Sequence, residues 1–294
     1  MPGDVRAKMR EVLTCIVAQL AASTRLDAES RGDAQREARL LTAAVLDVAP
    51  GTLARTLDDP LTQEQHARVL QAAHRRANGE PLAYAVGTAA FRHLVLHVDA
   101  RVLIPRPETE IVVEAALAVT AQRSGGIAVD IGTGSGAIAL SLATEGHFDH
   151  VWATDISRDA LEVAIANYAR QPAGTTPVTF ASGADFAPLA GVKARVIVSN
   201  PPYIAYSEAA ALPASVRDWE PSMALFAADN GMARYDVLLA GAADHLELEG
   251  WLVLEVDARR ATDTMARAVH HGFVNVRLIR DLSDRDRVLV AQSA

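Results

Sequence analysis

From residue 127 to residue 291, short runs of apolar and β-branched residues alternate with helix-like runs, and this alternation restricts the fold more than any other feature of the chain. A strand that reads as a continuous apolar run is buried on both faces, and strands separated by helices pair in parallel with helices covering the sheet. The runs lie at 127–131, 151–155, 177–180, 195–199, 251–256, 274–278 and 288–291, which makes seven strands. In open sheets of this kind ligands bind beyond the carboxyl ends of the strands, so the chemistry is sought in the residues that follow each run.

After the first run stands Asp130-Ile131-Gly132-Thr133-Gly134-Ser135-Gly136, leading into a helix over 137–143. Closely spaced glycines let the backbone approach a ligand and turn sharply into a helix N-terminus. Dinucleotide and nucleoside sites share such loops, but two features sharpen the reading. The Gly-x-Gly-x-Gly spacing is tighter than Gly-x-Gly-x-x-Gly, and Asp130 would repel a pyrophosphate while suiting an ammonium. A cofactor with an amino-acid end therefore fits better than a nicotinamide dinucleotide. Asp155, at the end of the second run and about twenty residues on, stands where a carboxylate accepts from ribose hydroxyls; Ser157 is placed to cap the next helix.

The fourth run ends in Ser199-Asn200-Pro201-Pro202-Tyr203-Ile204. Two successive prolines remove two N–H donors and fix φ, leaving backbone carbonyls and the Asn200 side-chain oxygen as acceptors at one spot. With the Tyr203 ring beside them, such acceptors suit a planar NH2 group. The stretch 205–214 that follows reads as a mobile loop.

Residues 1 to about 80 read as helical. In the first helix Val5, Met9, Val12, Leu13, Ile16 and Leu20 share a face. Arg6, Lys8 and Arg10 before an apolar stretch imitate a signal peptide, but Asp4, Glu11, Thr14 and Gln19 interrupt that pattern, and the reading is an amphipathic helix with Cys15 in its core. Asp33 is expected to cap a second helix carrying Leu40, Leu41, Ala44, Val45 and Val48 and stopping at Pro50-Gly51. Thr62 with Gln65 makes a capping box for a third, ending at Arg75-Arg76-Ala77-Asn78-Gly79. Between Leu82 and Val98 the pattern turns to short β-type runs, with Phe91, Leu94, Leu96 and Val98 predicting a hairpin. Pro105 and Pro107 with Glu108 and Glu110 then open a helix of Ile111, Val112, Ala115, Ala116 and Val119.

Charge bears on the partner. The net charge is −8, and residues 1–84 hold eleven Lys and Arg against eleven Asp and Glu. This argues against a nucleic-acid clamp and leaves two readings of the helical segment, a protein-docking module or a bundle that props up the second domain. One cysteine and nine scattered histidines offer no disulfide and no metal-ligand spacing, so no metal is expected. No apolar run approaches membrane-spanning length, and the expectation is a cytoplasmic protein with no membrane partner.

Taken together, Asp-x-Gly-x-Gly-Ser-Gly, Asp155 and Asn-Pro-Pro-Tyr resemble a class I S-adenosylmethionine-dependent methyltransferase acting on a planar nitrogen. Gly79-Glu80-Pro81-Leu82-Ala83-Tyr84, the run 103–110, 200–204, Glu220-Pro221, Ala224-Leu225 and Gly231 narrow the resemblance to the release-factor glutamine methyltransferases. It spans almost the whole chain and implies a Rossmann-like, seven-stranded, mostly parallel sheet with a small N-terminal helical bundle joined by a β-hairpin linker. The implied boundaries are 1–80 for a substrate-docking domain, 81–104 for the linker and 105–294 for the methyltransferase domain. The implied reaction moves a methyl group from S-adenosylmethionine, giving S-adenosylhomocysteine, to the side-chain nitrogen of the glutamine in the Gly-Gly-Gln motif of class 1 peptide chain release factors. The implied cofactor residues are Asp130, Gly132, Thr133, Gly134, Ser135, Gly136, Asp155, Ile156, Asp185 and Asn200. Asn200, Pro201, Pro202 and Tyr203 hold substrate, with Arg106 and Glu110 ordering its loop. The chain departs from the family pattern where Gly183 is followed by Ala184 before Asp185, and where Glu255-Val256-Asp257 lacks a glycine.

An amide nitrogen is a poor nucleophile because its lone pair is delocalised. The expected mechanism is acceptance of the two substrate N–H bonds by the Asn200 side chain and the Pro201 carbonyl, with Tyr203 on the amide plane. Three alternatives stay open: N6 methylation of adenine in nucleic acid, which presents the same donor pair but calls for a basic track; methylation of a ribosomal-protein glutamine, against which Arg106-Pro107-Glu108-Thr109-Glu110 speaks; and a cofactor-binding scaffold that docks a partner without methylating it, which the intact Asn200 to Tyr203 corner disfavours.

Overall fold

The computed structural model describes residues 7–294. Their contacts separate into two compact units, one built from residues up to Thr88 with Pro213–Trp219, the other from Ala89–Leu212 with Glu220–Ala294. Asp4, Val5 and Arg6 of the expected first helix lie outside the described residues.

In the first unit the helices Met9–Ala21, Ala34–Leu46 and Gln63–Ala77 pack on one another. Helical periodicity carries Met9, Val12, Leu13, Ile16 and Leu20 inward to meet Leu41, Val69 and Ala73, all buried. Cys15 is exposed, contrary to expectation, because it falls off that stripe. Both capping-box bonds form: the Gln65 N–H donates to the Thr62 hydroxyl at 3.1 Å and the Thr62 N–H to the Gln65 side chain at 3.0 Å. Asp33 makes no cap bond. A short helix, Ala28–Gly32, capped by Asp27, runs almost directly into Ala34–Leu46, so Asp33 has φ −91° and ψ 10° instead of the extended conformation a cap needs. The Ala34–Leu46 helix closes at left-handed Asp47, and Pro50 starts a further turn, Pro50–Leu53, where Pro at the first helical position costs no hydrogen bond. Arg76 is buried and paired in fork fashion with Glu37 at 2.7 and 2.8 Å, the condition under which a buried guanidinium is tolerated. Leu82–Val86, read as β-type, is a helical turn closed by left-handed Gly87.

The predicted hairpin is present as β1 (Thr88–Phe91) and β2 (Leu94–His97). The main sheet contains β3 (Ile127–Ile131), β4 (His150–Asp155), β5 (Val178–Ser182) and β6 (Ala194–Ser199). After a short parallel pair, β7 (Ile204–Ala205) with β8 (Phe226–Ala227), it is completed by β9 (Leu246–Glu255), β10 (Val274–Arg280) and β11 (Asp286–Gln292). The strand order is β10-β11-β9-β6-β3-β4-β5, and β11 runs antiparallel to both neighbours while the other pairs are parallel. This is the seven-stranded class I methyltransferase arrangement.

Strand alternation divides the core into two layers. Ala128, Val151, Val196, Val198, Val253 and Val290 face one way, against Val112, Val113, Ala116 and the helix Ala137–Glu145. Val129, Ile131, Ile197, Leu252, Leu254 and Leu289 face the other, against Tyr235, Leu238, Leu239 and Ala268. A period-2 pattern in which both phases are apolar forces this sandwich, because each face needs a covering helix. The stretch 205–214 is not an irregular loop: β7 leads into a 3-10 helix, Tyr206–Ala211, and a short helix, Ala214–Arg217, follows. Among the described residues no helix is long and apolar enough to cross a membrane.

Candidate active site

The chain passes from β3 outward through β4 and β5, then returns to lay β6 against the opposite side of β3. The carboxyl ends of β3 and β6 therefore adjoin at a topological switch point, where a crevice opens. Val129 pairs with Ile197 and Asp130 with Val198, and the buried Ser199 hydroxyl donates to the Ile131 carbonyl at 2.7 Å, tying the two ends together. In this way the glycine loop and Asn200 become neighbours. A cavity of about 380 Å³ lies over them, lined by Gly132, Gly134, Asp155, Ile156, Asp185, Asn200, Pro201 and Pro202 among others.

The other loop residues stand behind this wall. Asp130 is fully buried; its Oδ2 accepts from the Thr133 hydroxyl at 2.7 Å and the Ala139 N–H at 3.0 Å, while its buried Oδ1 has no partner. Burial pushes its carboxyl up to about 7, against the pull of those two bonds. Thr133 and Ser135 are buried too, and Gly136 opens the helix in a left-handed conformation. Asp155 accepts from the Gly134 N–H at 2.9 Å and the Ser157 N–H at 2.8 Å, so one carboxylate braces the glycine loop and also lines the cavity. Ser157 caps Arg158–Tyr168 as expected. Asp185, displaced by one residue in the sequence, still reaches the cavity wall by taking a positive φ of 50°, and it pairs with Arg234.

At the β6 end Asn200 donates through Nδ2 to the Thr109 hydroxyl at 3.0 Å. Thr109 donates in turn to Glu255 Oε2 at 2.6 Å, and the Tyr203 hydroxyl donates to Glu255 Oε1 at 3.1 Å. Thr109 and Glu255 are buried. Burial pushes the Glu255 carboxyl above its ordinary range, opposed by the bonds from Thr109 and Tyr203. Burial, with the Glu255 charge beside it, pushes the Tyr203 hydroxyl up, so Tyr203 remains a donor. Its ring packs with the Tyr235 and Leu238 side of the core. Gly231 permits this: a Cβ there would meet the Tyr203 carbonyl at 2.1 Å, at a φ of 87°.

Of the two residues expected to order a substrate loop, Arg106 pairs with buried Glu220 at 2.5 Å, and the other Glu220 oxygen accepts from the Ile104 N–H at 3.2 Å. Glu110 is placed elsewhere. Its carboxylate accepts from the Arg92 N–H at 2.9 Å, bracing the turn of the β1–β2 hairpin, and it does not line the cavity. Tyr206 and Phe226, stacked at 5.4 Å, extend the cavity lining with Met223.

Two family models match the sequence, the PrmC N-terminal domain over residues 18–87 and the Methyltransferase small domain over residues 109–214. A release factor glutamine methyltransferase of Moorella thermoacetica is 43% identical over 244 residues, covering 82% of this chain and 85% of that one. The namesake of Cereibacter sphaeroides is 37% identical over 272 residues, 92% of this chain and 96% of that one. The chain belongs to the release factor glutamine methyltransferase family. A solved methyltransferase from Pyrococcus furiosus, 20% identical, shares the fold at a TM-score of 0.53, covering 79% of this chain and all of that one.

Three residues of this family member escaped sequence reasoning as parts of the site: Thr109, Glu220 and Glu255. Glu255 carried a usable signal, since it ends the β9 run at the same sheet edge as Asp130, Asp155 and Asn200. Thr109 and Glu220 stand in the quoted family runs, but no local pattern names their partners, because Thr109 meets Asn200 and Glu255 across 91 and 146 residues and Glu220 meets Arg106 across 114.

Proposed function

We propose that this methyltransferase moves a methyl group from S-adenosylmethionine to the side-chain amide nitrogen of the glutamine in the Gly-Gly-Gln motif of class 1 peptide chain release factors. The observation that carries the reading is the Asn200 amide: its nitrogen is committed to Thr109, so its oxygen is left as an acceptor at the cavity wall. The names of the close relatives supply the release factor.

The residues present fit the cofactor. A buried carboxylate oxygen without a partner, Asp130 Oδ1, suits the neighbourhood of an ammonium; Asp155 retains lone pairs for a ribose diol; Ile156 and Leu238 offer an apolar wall for a base. Bound there, S-adenosylmethionine supplies an electrophilic methyl group on a cationic sulfur. The chain's own work is positional and electrostatic. Asn200 Oδ1 and the Pro201 carbonyl accept the two substrate N–H bonds, which orients the nitrogen and favours electron density on it as the new bond to carbon forms. The surplus proton leaves the nitrogen for water. Tyr203, held by Glu255 and packed by its ring on the core, steadies the corner from behind, and the N-terminal helical unit docks the release factor.

Methyl transfer from labelled S-adenosylmethionine to a class 1 release factor, set beside the same factor with its Gly-Gly-Gln glutamine changed to alanine, tests the reading. Label on the first alone is the expected outcome. Equal label on both, or label only on ribosomal protein or nucleic acid, overturns it.

A further inference from the structure

We propose that Glu255 and Thr109 are positioning residues that decide which end of the Asn200 side-chain amide faces the cavity. The inference rests on the reading of Asn200 as the acceptor for a substrate N–H.

The oxygen and NH2 of an asparagine amide are nearly equal in size, so packing alone does not choose between them. Hydrogen-bond direction does. An ionised Glu255 can only accept. The Thr109 hydroxyl has a single proton and commits it to Glu255 Oε2 at 2.6 Å. Towards Asn200, 3.0 Å away, Thr109 can then only accept, so Asn200 must offer Nδ2 and turn Oδ1 to the cavity. The Tyr203 hydroxyl occupies the other carboxylate oxygen at 3.1 Å, which leaves Glu255 no alternative donor that would release Thr109. A proton on Glu255 reverses the chain. Glu255 then donates to Thr109, the Thr109 proton turns to Asn200, and the flipped amide presents N–H groups to the cavity. Two donors facing a substrate NH2 repel it, and the acceptor that orients the nucleophile is lost.

The carboxylate lies deep, 1% exposed, and water does not screen the exchange. Around Glu255, the Arg287 guanidinium on β11 favours the charged form and Glu108 on the helix Pro107–Thr120 opposes it; the Tyr203 and Tyr235 hydroxyls are the other titratable groups facing it. Burial outweighs the favourable contacts, so the carboxyl titrates above the ordinary glutamate range. The amide is therefore correctly set while Glu255 is ionised and lost as pH falls through that raised value.

Two measurements test this. With asparagine side chains labelled with 15N, the Asn200 NH2 signal, assigned by its absence in Asn200→Asp, is expected to titrate in the wild type above the usual carboxylate range. In Glu255→Gln it is expected to stay constant. An Asn200 signal that does not titrate, or that titrates equally in Glu255→Gln, overturns the proposal. In steady-state transfer to the release factor, Thr109→Val should lower kcat at least about tenfold while KM for S-adenosylmethionine changes by less than about twofold, and Thr109→Ser should recover most of the loss. Wild-type kcat in Thr109→Val, or a Thr109→Ser as slow as Thr109→Val, also overturns it. Failure of the wild type to methylate the factor strikes the substrate assignment instead, and the asparagine signal still decides the positioning role.

Discussion

Asp130 shows how far one residue's environment can depart from its position in a motif. The carboxylate was expected beside an ammonium; it sits fully buried, with one oxygen holding the glycine loop and the other unpartnered. Burial raises its carboxyl to about 7, so below that pH it is mostly neutral in the free protein. A cation bound nearby favours the ionised form, and by linkage the binding of an ammonium-bearing cofactor strengthens as pH rises through that value. Calorimetric titration of S-adenosylmethionine between about pH 6 and pH 8 should show affinity increasing with pH. Asp130→Asn should bind more weakly at the upper end and lose the dependence. An unchanged slope in that variant would remove Asp130 from the cofactor's surroundings. The residue types at this end of the sheet were legible in the sequence because each follows an apolar run at a strand's carboxyl end. Their partners were not: nothing local to Asn200 points to Thr109, and nothing local to Arg106 points to Glu220.

At the scale of elements, the central strands such as β3 and β6 were legible because strands buried on both faces must be apolar at nearly every position, while the edge strands β5 and β10, half-buried or exposed, showed only short runs rich in β-branched residues. The same reasoning located the helix Pro107–Thr120 and the capping box of Gln63–Ala77, where the signals lie within a few residues. It missed the order within 205–214. Ile204–Ala205 gains its partner only from Phe226–Ala227, and no periodicity develops over two residues. The turn Asp229–Gly231 that follows presses on the Tyr203 carbonyl, and only glycine fits there. Gly231→Ala should therefore cost roughly 1–3 kcal/mol in backbone strain. By moving the Asn-Pro-Pro-Tyr corner it should also reduce turnover on the order of 100-fold. Thermal melting and methyl-transfer assays check this together; a variant that melts and turns over as the wild type does would show the turn to be free to move away.

For the molecule as a whole, two compact units with separate apolar cores imply that a ligand of one need not stabilise the other. S-adenosylmethionine at about 100 times its Kd should add about 2.7 kcal/mol to the unit that holds the cavity. Hydrogen exchange should accordingly slow on β3, β4 and β6, about 100-fold where exchange needs global opening of that unit, with the helices Met9–Ala21, Ala34–Leu46 and Gln63–Ala77 unaffected. Equal slowing in both would mean that the units open as one. The sequence by itself determined the α/β class, the seven strands of the main sheet and the residue types at the binding edge, because apolar β-branched runs and tight glycine or proline turns leave local marks. Tertiary structure alone decided that β3 and β6 lie side by side, that Glu110 turns to the hairpin, and that Thr109 and Glu255 stand behind Asn200. Those outcomes depend on hydrogen bonds and packing between segments far apart in the chain, where neither partner carries a sign of the other.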